Sequence, residues 1–143
     1  MFTGEYRHTV DSKGRISLPA AYRRALPEQI MVCKGFDGTL FVFTPQDYAE
    51  WLDSLVPDDD FDPEIKALYR MLTAGAMTVD LDSAGRMSVS SYLREYAGLD
   101  KDVVVIGNRK RLEVWDAKRW DEYNASHGTI DELVSKVRSK KSQ

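Results

Sequence analysis

The chain has 143 residues, 43% hydrophobic and 30% charged, with a formal net charge of −3. That composition fits one ordinary globular domain or two small ones packed together, and excludes a disordered chain. No apolar run nears the roughly 20 residues that span a bilayer, no basic-then-apolar signal pattern opens the chain, and the single cysteine, Cys33, makes neither an internal disulfide nor a multi-cysteine zinc site; a cytoplasmic location is expected.

Tyr6–Val10 and Ile16–Leu18 are short alternating runs joined by Asp11-Ser12-Lys13-Gly14-Arg15, and predict a β-hairpin. Pro19 suits the first turn of a helix over Ala20–Leu26, which stops before Pro27. Ile30–Lys34 and Thr39–Phe43 flank Gly35-Phe36-Asp37-Gly38, a second hairpin. Pro45 opens a helix whose Tyr48, Trp51, Leu52 and Leu55 share one face. An acidic cluster follows (Asp58, Asp59, Asp60, Asp62 and Glu64), then a bridging helix from Pro63 to about Gly75 with Ile65, Leu68, Tyr69 and Leu72 on one side.

The pattern then restarts. Met77–Leu81 and Met87–Val89 flank Asp82-Ser83-Ala84-Gly85-Arg86; Ser90 or Ser91 caps a short helix over Tyr92–Ala97 that ends at Gly98. Val103–Ile106 and Leu112–Trp115 flank a basic turn with Arg109, Lys110 and Arg111, and a helix runs from Ala117 to about Ala125. Beyond Ser126 the chain is polar, with Ile130, Leu133, Val134 and Val137 spaced for a short amphipathic helix before a basic tail. Asp11, Gly14 and Arg15 match Asp82, Gly85 and Arg86 at an offset of 71, and Gly35, Leu40, Val42 and Phe43 match Gly107, Leu112, Val114 and Trp115 at 72. The chain is an internal duplication, and two such small units are expected to share a core around a pseudo-two-fold axis and to self-associate.

No nucleophile–base pair, phosphate-binding loop or metal-ligand spacing is present, and His8 and His127 fall at non-equivalent places. Neither an enzyme nor a cofactor or metal requirement is expected. Asp11 and Asp82 each have an arginine four residues on, which favours an ionised carboxylate over an acid catalyst. The structural reading of each turn is an Asp–Arg ion pair that fastens a hairpin. The functional reading is an arginine at the tip, projecting from the body to grip phosphate or a guanine edge, with Asp orienting it. Arg7, Lys13, Arg15, Arg23 and Arg24 crowd residues 5–24 against only Glu5 and Asp11, so the first copy looks the more basic despite the negative total. The three tryptophans fall on apolar faces and read as core and interface.

Two copies of Asp-Ser-Xaa-Gly-Arg, each followed by a short helix and a glycine-containing hairpin, resemble the MraZ family of bacterial transcriptional regulators. The resemblance implies an α+β, β-rich fold: two tandem swapped-hairpin repeats of the SpoVT/AbrB type, forming a pseudo-two-fold, barrel-like core with flanking helices. The expected boundaries are repeat 1 at 5–47, a helical bridge with the acidic stretch at 48–75, repeat 2 at 76–119, and a C-terminal helix and basic tail at 120–143. It further implies a nucleoid-associated, ring-shaped homo-oligomer that binds short direct repeats of double-stranded DNA in the promoter of the division and cell-wall gene cluster, its own gene included. The family motif falls on Asp11 and Arg15 and again on Asp82 and Arg86; charge and position add Lys13 and Arg7. The alternative is an oligomeric interaction scaffold with the same fold and no DNA.

Overall fold

A computed structural model describes residues 1–55 and 61–142; the acids Asp58, Asp59 and Asp60 lie outside the described residues. The elements in order are β1 (Glu5–Thr9), β2 (Arg15–Ser17), α1 (Ala20–Ala25), β3 (Gln29–Lys34), β4 (Leu40–Phe43), α2 (Pro45–Leu55) and α3 (Pro63–Ala74), followed by β5 (Met77–Asp80), β6 (Arg86–Ser88), α4 (Ser91–Tyr96), β7 (Asp102–Asn108), β8 (Arg111–Asp116), α5 (Ala117–His127) and α6 (Ile130–Lys141). The fold is α+β and β-rich.

The strands do not pair as sequence neighbours at the two motif turns. β1 pairs antiparallel with β7 and β5 with β3, while β2 pairs with β6, so each arm of the first and third expected hairpins finds its partner in the other repeat. Among the described residues a single bridge, from Val10 just after β1 to Ile16 of β2, joins the two arms of the first turn. This crossing of arms replaces the two local hairpins expected from alternation. The hairpins β3–β4 and β7–β8 form as expected. The result is an open six-stranded sheet in the order β1-β7-β8-β4-β3-β5 and a separate two-stranded ribbon, β2–β6. The expected barrel-like core is therefore not a closed barrel, since β1 and β5 are edges.

Pseudo-symmetry is visible in the registers. At the sheet centre Leu40 faces Val114 and Val42 faces Leu112; in the ribbon Ile16 faces Met87. Leu18 N–H donates to the Gly85 carbonyl and Val89 N–H to that of Gly14, both at 3.0 Å. One alignment shifts by a residue: Val32 pairs with Val42 where Val105 pairs with Val114, so Gly107 corresponds to Lys34 and not to Gly35. The two glycines answer different needs. A Cβ on Gly35 would lie 2.5–2.6 Å from the Phe41 ring. One on Gly107 would collide with the backbone of Phe2 and Thr3, which the segment before β1 lays against the sheet.

Alternation in the strands sends one set of side chains to each sheet face. Ile30, Val32, Leu40, Val42, Val103, Val105, Leu112 and Val114 form one core with Ile16 and Met87 beneath the ribbon and with Tyr22 and Leu93 from α1 and α4. On the opposite face Cys33, Phe41 and Phe43 pack with Tyr48 and Trp51 of α2, and Trp115 packs with Trp120 and Tyr123 of α5. Burial pushes the Cys33 thiol up to about 12, which makes it an inert packing residue. The tryptophans stand in these aromatic clusters, as their spacing suggested. Symmetry breaks where Phe41 is matched by the buried Glu113. Its carboxylate accepts from Arg111 Nε at 3.0 Å, Asn108 Nδ2 at 2.9 Å and Trp115 Nε1 at 3.1 Å. Arg111 also lies 3.9 Å from the Phe41 ring centre, so it is fastened inward and is no part of a solvated basic tip.

Candidate nucleic-acid interface

Each motif turn is built by its aspartate. Asp11 Oδ1 accepts from the backbone N–H groups of Lys13 and Arg15, both at 2.9 Å, and Oδ2 accepts from Arg15 Nε at 2.8 Å. The second turn repeats this: Asp82 Oδ1 accepts from Ala84 N at 3.0 Å and Arg86 N at 2.9 Å, and Oδ2 from Arg86 Nε at 2.7 Å. Gly14 and Gly85 take φ of +77° and +74°, a left-handed region that favours glycine in a tight turn. Both carboxylates are held below the usual range, chiefly by the N–H of the motif arginine and then by its side chain.

Capture of Nε lays each arginine along its own turn. The side chains of Arg15 and Arg86 are only 25% and 35% exposed, so neither projects freely from a tip as the sequence suggested. Among the described residues neither arginine's terminal Nη atoms have a protein partner. The swap of arms brings the two copies together. Arg15 faces Ser88 and Ser17 faces Arg86 across the ribbon, which makes the arginines diagonal neighbours, roughly 7–8 Å apart. Ile16 and Met87 point into the core, so Arg15, Ser17, Arg86 and Ser88 all lie on the ribbon's outer face.

The flanking cations are also exchanged. Arg23 of α1 donates Nη1 to the Ala84 carbonyl at 3.1 Å and lies over Gly85, so it serves the second turn and not the first. Arg94 of α4 has its guanidinium against Gly14 of the first turn and donates Nε to the Val89 carbonyl at 3.1 Å. Sequence reasoning missed Arg94, although the offset of 71 equates it with Arg23. The expected basic bias of the first copy is thus smaller than it looked: Lys13 and Arg94 flank Arg15, and Arg23 flanks Arg86. Lys13 is exposed at the turn, where repeat 2 has Ala84. Arg7 is placed apart from this group. It sits on β1 and gives Nη2 to Asp121 of α5 at 2.7 Å, with Glu5 at 3.5 Å, and these acids hold its pKa above the ordinary value.

The ribbon face thus carries cations and hydroxyls on a two-stranded element narrow enough for a major groove. No cluster of three or more metal-ligating side chains occurs among the described residues, and no helix among them is long and apolar enough to cross a membrane.

A family model described as "MraZ protein, putative antitoxin-like" matches residues 1–70 and 72–132. Among curated relatives, a protein of Acetivibrio thermocellus named Transcriptional regulator MraZ is 38% identical over 135 residues, covering 94% of each chain. Proteins of the same name from Corynebacterium urealyticum and Moorella thermoacetica are each 42% identical, over 89% and 86% of both chains respectively.

Proposed function

Because the chain belongs to the MraZ family, we propose that it is a sequence-specific DNA-binding transcriptional regulator. In this reading it represses from short direct repeats in the promoter of the division and cell-wall gene cluster, its own gene included. The observation that carries it is the β2–β6 ribbon, which sets Arg15 and Arg86 as diagonal neighbours on its outer face. An arginine whose Nε is fixed by Asp keeps a planar pair of terminal donors, the pattern that matches O6 and N7 of guanine. Asp11 and Asp82 are positioning residues. Lys13, Arg23 and Arg94 supply phosphate contacts, and Arg7 braces β1 against α5.

One ribbon makes few phosphate contacts, so binding by a single chain is weak and salt-sensitive. Self-association into a ring, read against repeated sites, converts weak contacts into avidity. That is how a chain of net charge −3 holds DNA through a local basic face and resides on the nucleoid. The test is a mobility shift on the protein's own upstream region at low salt. Arg15→Ala and Arg86→Ala should each weaken binding about 5- to 150-fold, from the 1–3 kcal/mol of a bidentate base contact. Arg15→Lys, which keeps the charge but not the fork, should behave like the alanine variant. Wild-type protein that fails to shift DNA would instead favour the scaffold reading, and unchanged binding by both alanine variants would remove the ribbon as the interface.

A further inference from the structure

Every residue of α6 is exposed, including four apolar side chains on one face: Ile130, Leu133, Val134 and Val137, at 80%, 36%, 38% and 52%. The helix is well built. Thr129 Oγ1 accepts from Glu132 N at 3.1 Å, Asp131 and Glu132 occupy the first turn, and Arg138, Lys140 and Lys141 the last, all complementary to the helix dipole. A helix of 12 residues is nonetheless marginal in water without a surface to pack on. Within the chain, the same i, i+3, i+4, i+7 stripe on α3 (Ile65, Leu68, Tyr69 and Leu72) is half-buried or buried, with Tyr69 donating to the Leu52 carbonyl of α2.

We propose that α6 pairs antiparallel with α6 of a second copy of this chain. The stripe is its own complement: residues 130 and 137 lie equally far from the midpoint between 133 and 134. A two-fold axis through that midpoint sets Ile130 against Val137 of the second copy, and Leu133 and Val134 each against their own equivalents. The same operation brings the acidic first turn of one helix to the basic last turn of the other, with Asp131 within reach of Arg138; a parallel pair would set like charges together. A two-fold contact closes at two copies, so the pairing is separate from whatever head-to-tail contact closes the proposed ring, and it does not depend on the DNA reading.

Light scattering on the whole protein at tens of micromolar tests it. Leu133→Asp with Val137→Asp, both exposed positions that leave the fold's circular dichroism and melting intact, should lower the mass about twofold or more. In a second arm, Ile130→Cys and Val137→Cys proteins are mixed under mild oxidation; Cys33 is fully buried and stays out of the reaction. A disulfide-linked pair should form in the mixture and not in either protein alone. Unchanged mass in the double variant, with wild type oligomeric, overturns the α6 pairing alone, as does cross-linking of Ile130→Cys to itself. A monomeric wild type overturns self-association altogether.

Discussion

The two oxygens of each motif aspartate are committed to different tasks, backbone on one side and Arg Nε on the other. This explains why arginine, and not lysine, closes both turns. A guanidinium can surrender its Nε–H and still present a planar pair of terminal nitrogens, whereas a lysine's donors all sit on one nitrogen and leave no such fork for a ligand. It also fixes a pH dependence. The Asp11 and Asp82 pKa values are lowered in the fold, first by the Arg15 and Arg86 backbone N–H groups. Their contribution to stability is therefore fully present above the unfolded carboxylate value of about 3.9 and is lost as pH falls through the lower folded values. Melting temperature measured from pH 6 down to pH 2.5 should drop below about pH 4. The Asp11→Asn, Asp82→Asn double variant, which keeps an acceptor oxygen at each turn, should show a shallower fall in that range and little pH dependence of its own above it. Parallel curves for the two proteins would mean that these carboxylates do not drive acid unfolding.

At the scale of elements, the ribbon is three residues per strand and stays folded because Ile16 and Met87, directly opposed, are both fully buried over the large sheet. Met87→Ala should cost about 2–5 kcal/mol in a urea melt, the range for truncating a buried methionine, and, on the proposed reading of the ribbon as a DNA interface, should weaken binding without touching its outer face. A loss under 1 kcal/mol would mean that the ribbon is held by its turns instead. The elements themselves were legible: alternation located the strands, the capping residues located α4, and stripe spacing located α2, α3 and α6. Alternation about a short turn also gave the partners within β3–β4 and β7–β8, but at the motif turns it did not, and there the resemblance alone, with its swapped hairpins, implied an exchange. Alternation marks a strand but not which strand lies beside it, and a turn built on Asp, Gly and Arg looks local even when its two arms diverge. Arg94 was available from the offset of 71, which sets it opposite Arg23. The one-residue shift at Gly107 was hidden, because only the pairing of β7 with β8 fixes it.

For the whole molecule, the exchange of arms makes the halves interdependent. β1 needs β7, β5 needs β3, and β2 needs β6. A half cut between α2 and α3 would leave an isolated three-residue strand, an unpaired first strand and the apolar underside of its sheet in water. At such a length a chain buries too small a fraction of its surface to offset its conformational entropy. The same interlocking means that the covalent link between the halves contributes little to holding them together once they are folded. A protease site placed within residues 56–60 therefore makes a sharp test. After cleavage the two pieces should co-elute as one species and unfold in one cooperative transition, shifted down by the entropy of the lost tether. The same pieces expressed separately should lack a cooperative melt and regain it on mixing. Cooperative folding of the 1–55 piece alone would show that its hairpin β3–β4 with α1 and α2 is self-sufficient. The ribbon, and with it the paired arginines, would then be a product of assembly and not of the fold of either repeat.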